Sequence, residues 1–113
     1  MIKKEYGMKQ AVYEQQAEVA KAIAHPIRMA ILDFLRGGEQ CVCDIAEAVG
    51  SERSNVSRHL GVMVTAGVLT SEKRGLKVIY SIRTPCVIRF IDCLRECLRE
   101  RAIQGQAILN QLS

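Results

Sequence analysis

Residues 41–66 read Cys-Val-Cys-Asp-Ile-Ala-Glu-Ala-Val-Gly-Ser-Glu-Arg-Ser-Asn-Val-Ser-Arg-His-Leu-Gly-Val-Met-Val-Thr-Ala. Val42, Ile45, Ala46 and Val49 share one face of a helix expected from about Cys41 to Val49, which Gly50 ends. A short turn, Gly50-Ser51-Glu52, leads to a second helix from about Arg53 to Ala66. There Val56, Leu60, Met63 and Val64 fall at i, i+4, i+7 and i+8, an inward stripe that stops before Gly67. Two short helices joined by a tight turn form a helix-turn-helix, whose second member enters the major groove of DNA. Stepping about 100° per residue from Val56 turns Ser54, Asn55, Arg58, Val62 and Thr65 outward, with Ser57 on the flank. Arginine reads guanine, asparagine reads adenine and serine accommodates either, so these residues suit base edges and phosphates.

The flanking sequence completes a mainly α fold with a small β-hairpin. A helix is expected from about Met8 to Ala24, with Val12, Val19, Ala20 and Ile23 on a weak apolar face. Pro26 suits the first position of the next helix, where its missing N–H has no intrahelical partner. Ile27, Ala30, Ile31, Phe34 and Leu35 follow at helical spacing, and Gly37-Gly38 supplies the stop. Downstream, Val68–Arg74 and Lys77–Arg83 bracket Gly75-Leu76 as two strands of a hairpin. Thr84-Pro85 opens a last helix from Cys86 to beyond Ala102, extending toward Leu109. The hairpin beside the helix pair is a wing, and its tip carries Lys73, Arg74 and Lys77 for phosphates or the minor groove.

Length and composition agree with this picture. At 113 residues the chain, 1–113, fits one domain with a modest core, which an apolar surface shared with a second copy would reinforce. The net charge is +4, and the excess is concentrated. Between Ser51 and Tyr80, Arg53, Arg58, Lys73, Arg74 and Lys77 face only Glu52 and Glu72. Focused basic charge of this kind points to a polyanionic partner, although a solvated surface has the same composition. No apolar run approaches the roughly 20 residues needed to cross a bilayer, so no membrane association is expected. The opening Met1-Ile2-Lys3-Lys4-Glu5-Tyr6-Gly7 lacks the apolar centre of a secretory signal, which leads to a cytoplasmic location as the expectation.

Two positions in the second helix of the pair have more than one reading. Gly61 costs up to about 1 kcal/mol in an exposed helix, so it is either a tolerated weak point or a site of close approach to DNA. His59 lies between faces, and a packed or partly exposed histidine is favoured over a base contact.

There are five cysteines, at 41, 43, 86, 93 and 97. In a reducing compartment they are thiols, and the odd count opposes a fully paired disulfide framework. On a regular helix Cys41 and Cys43 stand about 200° apart, flanking the apolar face. They then hold one small ion only if the first turn distorts, which would strain the helix that positions the groove-reading helix. A helix N-terminus favours thiolate, the metal-ligating form, and soft thiolates select arsenite, antimonite, cadmium, lead or copper(I). The competing account is two small residues filling space beside a core. On the last helix, Cys93 and Cys97 lie about 20° either side of Cys86, a single stripe bordering Phe90, Leu94 and Leu98. That stripe is either helix packing at a dimer interface or a further set of sulfur ligands.

Four segments together carry a resemblance: Ala24-His25-Pro26-Ile27-Arg28-Met29-Ala30-Ile31-Leu32, Glu39-Gln40-Cys41-Val42-Cys43-Asp44-Ile45-Ala46, Asn55-Val56-Ser57-Arg58-His59-Leu60 and Ala66-Gly67-Val68-Leu69. Over about Ala20 to Ile82 the chain resembles the ArsR/SmtB family of metalloregulatory winged helix-turn-helix repressors. The resemblance implies a homodimer joined through the first and last helices and bound to an inverted-repeat operator. It implies DNA binding without a cofactor and release by an inducer. It also favours Cys41 and Cys43 as the sensing pair, with Cys86, Cys93 and Cys97 as possible further ligands, and As(III), Sb(III) or a soft ion such as Cd(II) as inducer. Three departures bear on the inducer. Arsenite-type members often carry a third cysteine where Ala46 stands. Cadmium-type members use cysteines in the N-terminal arm, which has none here. Zinc-type members use Asp, His and Glu on the last helix, which here has Asp92 and glutamates but no histidine. A fourth departure is Glu52, where the family usually has a short polar cap; Ser51 is expected to serve one place earlier.

Two other functions are weighed against this one. The same fold senses persulfide or oxidant if its thiols cross-link reversibly. A small cysteine-dependent redox enzyme needs Cys-x-x-Cys or a Cys–His arrangement, and Cys41-Val42-Cys43 has the wrong spacing. The expectation is a regulator, not an enzyme.

Overall fold

The computed structural model describes the backbone of residues 2–112 and the side chains of residues 7–112. Of the residues read above for a leader, Met1–Gly7, the first six have side chains outside that range. The order of elements is α1 (Ile2–Ile23), α2 (Pro26–Leu35), β1 (Gln40–Cys41), α3 (Val42–Val49), α4 (Arg53–Thr65), β2 (Leu69–Arg74), β3 (Lys77–Ile82) and α5 (Cys86–Leu112). The five helices and the hairpin match the sequence pattern. Several details differ. Helix α1 begins near the chain start rather than at Met8, running through Gly7 despite that residue's poor propensity. The last helix reaches Leu112. A third strand, β1, joins the hairpin.

Local chemistry accounts for the helix ends. His25 is extended and its Nδ1 accepts from the backbone N–H of Ile27 at 3.1 Å, capping α2, with Pro26 at the first helical position. Helix α3 ends at Gly50, left-handed at φ 67°, and this is what folds α4 back against α3. The hairpin turn has Gly75 at φ 63° in the first of two turn positions, as a two-residue II′ turn requires.

The sheet is antiparallel in the order β1-β3-β2. Register runs from Leu69↔Ile82 to Arg74↔Lys77 in the hairpin, and Gln40↔Tyr80 and Cys41↔Ile79 at the third strand. Ile31 and Leu32 of α2, Ile45 of α3, Val56, Leu60 and Met63 of α4, and Val68 and Leu69 beside the wing form the fully buried centre. Each such side chain contributes about 1.5–3 kcal/mol relative to exposure. Val87 and Ile91 dock α5 onto this centre, and Ile23 docks α1. Val64, expected on the inward stripe, is half-buried and packs at the core's margin.

Beyond those anchors α1 and α5 carry many exposed apolar side chains. Met8, Val12, Tyr13 and Val19 on α1, and Phe90, Leu98, Ile103, Ile108, Leu109 and Leu112 on α5, are exposed. The radius of gyration is 18.2 Å, against about 13 Å for a compact chain of this length. Two arms with apolar faces this size call for a partner surface. Among the described residues no helix is long and apolar enough to cross a membrane.

Candidate DNA interface and thiol centre

Helix α4 presents Ser54, Ser57 and Arg58 to solvent, with Asn55 half-buried beside them. The expected groove-facing residues therefore lie on one accessible surface. They are also linked. Arg58 Nη2 donates to Asn55 Oδ1 at 2.7 Å, and Asn55 Nδ2 donates to Ser51 Oγ at 2.8 Å. The chain of donors runs from the middle of α4 to the turn before it, and it holds Asn55 in one orientation. It also corrects the expected cap. Ser51 bonds the Asn55 side chain rather than the helix backbone, and Glu52 holds the cap position with no side-chain bond.

His59 is the one buried polar side chain among the described residues, at 4% exposure. Arg28 Nε donates to its Nδ1 at 3.0 Å, and Arg28 Nη1 donates to the carbonyl of Ala22 at 3.3 Å. The His25 ring lies 4.4 Å from it, centroid to centroid. Burial pushes the His59 imidazole toward its neutral form, and the charges of His25, Arg28 and Arg58 push the same way. Sequence reasoning favoured packing for His59, and it packs. The Arg28 tether was not foreseen; one of its anchors is 31 residues away in the chain.

At the wing, Lys73 and Lys77 are exposed and enter no ion pair among the described residues. Arg74 is engaged differently. Its guanidinium donates to both carboxylate oxygens of Glu39, at 2.6 and 3.0 Å, and to Glu72 at 2.9 Å. Arg74 in turn holds the Glu39 carboxyl below the usual carboxylate range. The three basic wing residues thus divide into two free ammonium groups and one arginine bound across the sheet edge.

The paired cysteines are not on one helix. Cys41 is buried and extended, at φ −81° and ψ 160°, pairing with Ile79 and standing at the N-cap of α3. Cys43 is half-buried in the first turn of α3. The separation expected for two residues of a regular helix therefore does not apply. Cys41 stands before the first turn of α3 rather than in it. Cys86, Cys93 and Cys97 are all exposed on α5. Among the described residues no three or more His, Cys, Asp or Glu side chains of one chain converge on a common point. Asp92, the carboxylate of the last helix, is committed elsewhere. Arg36 grips it with two bonds of 2.9 and 3.1 Å, which holds its carboxyl below the usual range. Arg36 also reaches Asp33, and Arg95 joins Asp33 to the same network, locking α2 to α5.

Comparison with known proteins agrees with this fold. Residues 25–71 match the model of the family described as bacterial regulatory protein, arsR family. The chain is 34% identical over 102 residues to the HTH-type transcriptional regulator Rv0081 of Mycobacterium tuberculosis, covering 89% of this chain and 90% of that one. It is similar to the solution structure of the homodimeric winged helix-turn-helix domain of Mb0332 from Mycobacterium bovis, with a TM-score of 0.74 and 31% identity over 83% of this chain and 87% of that one. It is also similar to the crystal structure of the AntR antimony-specific transcriptional repressor, with a TM-score of 0.70 and 34% identity over 83% and 85% of the two chains.

Proposed function

This chain belongs to the ArsR family of bacterial transcriptional regulators, and from that premise we propose that it is a homodimeric repressor released from its operator by a thiophilic inducer. The observation that carries the reading is the position of Cys41 and Cys43. They straddle the junction of β1 and α3, and α3 leads through Gly50 directly into the DNA-reading helix. In the repressor, Ser54, Asn55, Ser57 and Arg58 meet base edges and phosphates in the major groove, while Lys73, Arg74 and Lys77 meet the backbone across the wing. Pairing of two copies through the exposed faces of α1 and α5 sets two such helices on an inverted repeat.

The donor set suits soft ions. Two thiols with no carboxylate partner favour As(III) or Sb(III), or a soft divalent ion such as Cd(II), over zinc. Asp92, bound to Arg36, is a poor ligand for a last-helix zinc site. The likeness to an antimony-specific repressor supports the same choice. A third sulfur comes from the α5 set of Cys86, Cys93 and Cys97, supplied by the second copy, because among the described residues of one chain no three such ligands converge. Drawing Cys41 and Cys43 onto one ion pulls Cys41 away from its pairing with Ile79. The β1–α3 junction then shifts and α4 shifts with it. An ion that binds the shifted state better lowers operator affinity by linkage.

Selection of bound sequences from random duplex DNA, followed by binding measurements, tests the DNA half of this reading. An enriched inverted repeat is expected. Asn55→Ala or Arg58→Ala should each weaken binding by about 1–3 kcal/mol and relax preference at one position per half-site. Enrichment of no sequence would overturn it.

A further inference from the structure

Between the end of α1, the start of α2 and the second half of α4 lies a cleft of about 680 Å³. Three cations wall it, each from a different element: Lys21, Arg28 and Arg58. Ala22, Gly61 and Val62 make its floor apolar. Its volume falls within the range of small-molecule sites. We propose that this cleft binds a small organic anion with an apolar body, and that the bound anion opposes DNA binding.

Charge is the first argument. Glu18 is the only acid lining the cleft, and its contact with Lys21, at 3.6 Å between two largely exposed groups, neutralises little. Arg28 commits Nε to His59 and Nη1 to the Ala22 carbonyl, which fixes the guanidinium in place. Three cations around one concavity focus a positive potential that attracts anions. The floor supplies the second argument. A DNA phosphate is hydrated and gains nothing from Ala22 and Val62, whereas the body of an organic anion is drawn to them. Gly61 supplies the third. A methyl group added there would meet nothing within 4 Å, so the missing side chain leaves open space rather than room for a neighbour. The cleft also lies on the charged side of α1. Val19 and Ile23, on the other side of that helix, face the apolar groove toward α5.

The link to DNA runs through Arg58 and therefore rests on the proposed repressor function. In the free protein Arg58 holds Asn55. An anion in the cleft offers Arg58 a charged acceptor and draws the guanidinium off Asn55 Oδ1, which removes both from the groove-facing surface. By reciprocity, DNA must then lower affinity for the anion.

Titration of the full-length, ¹⁵N-labelled protein with salicylate, followed by amide NMR shifts, tests the site without DNA. Saturable shifts are expected at Lys21, Ala22, Gly61 and Val62. Benzylamine, a cation with a similar ring, should produce none. Lys21→Gln should weaken salicylate roughly tenfold, and Gly61→Leu, which fills the cleft from an exposed helix position, should abolish binding. Shifts that fail to saturate, that survive Gly61→Leu, or that inorganic phosphate reproduces equally well would overturn the site. Salicylate should also weaken operator binding by the wild type, and Lys21→Gln should need roughly tenfold more salicylate for the same effect. Saturable binding in the cleft with no effect on DNA would overturn the coupling alone.

Discussion

Arg28 Nε donates to His59 Nδ1 across 3.0 Å, and through this bond the start of α2 grips the middle of α4. The bond requires Nδ1 to be unprotonated. His59 is buried and sits among His25, Arg28 and Arg58, all of which disfavour its charged form. Its folded-state affinity for protons is therefore below that of the unfolded chain.

The sign of the pH dependence follows. Above the ordinary histidine range, near pH 6.5, both states are neutral at this residue and it costs nothing. As pH falls through that range the unfolded chain binds a proton that the folded one resists, so stability declines, with a slope no steeper than about 1.4 kcal/mol per pH unit. Denaturation midpoints at pH 7.5 and 5.5 measure it. His59→Gln, which keeps an acceptor for Arg28, should flatten the decline.

The wing should show unequal contributions from its three basic residues. Lys73→Ala and Lys77→Ala should each reduce the salt dependence of operator binding, by about 0.9 in slope for every phosphate left unneutralised. Arg74→Ala should reduce it less, because Glu39 and Glu72 already hold that guanidinium. Glu39→Gln should strengthen binding by loosening it. Binding isotherms over a series of salt concentrations read all four variants.

Gly61→Ala separates the two readings of that glycine. The added methyl has open space in the free protein, so the variant should gain up to about 1 kcal/mol from helix propensity. That corresponds to a melting temperature higher by about 4–8 °C. If the glycine serves close approach to DNA, operator affinity falls in the same variant; if it is only a weak point, affinity is unchanged.

The Arg36–Asp92 fork is exposed, and its role is to fix α5 against α2. Asp92→Asn should lower the denaturation midpoint slightly and leave release by thiophilic ions as it was. Loss of that response in Asp92→Asn would make the last-helix carboxylate a ligand after all.

How far the sequence reveals this molecule depends on the length scale of each feature. The repeat of Val56, Leu60 and Met63 is long enough to show a helical period, and the structure buries all three. Strand β1 has only two residues, too few to show any alternation, and its existence depends on Ile79 and Tyr80 some forty positions away. That is why Cys41 reads as the first residue of a helix when it is an extended residue of a sheet. The Arg74–Glu39 and Arg28–His59 pairs were hidden for the same reason, being set by tertiary approach rather than by spacing. The exposure of Ser54 and Arg58 was legible because one helix places both, whereas Asn55, read as outward, is half-buried. The Arg58–Asn55–Ser51 chain was not legible, because the rotamers that make it are not encoded in periodicity.

The central claim is that Cys41 and Cys43 convert a thiophilic ion into release of DNA. Operator affinity measured against rising arsenite and antimonite, for the wild type and the double variant Cys41→Ser/Cys43→Ser, tests it most directly. The account predicts that the wild type dissociates as either ion rises while the variant stays bound with unchanged basal affinity. A double variant released at the same ion concentration as the wild type, or a wild type that arsenite, antimonite and cadmium all leave on the operator, would contradict it.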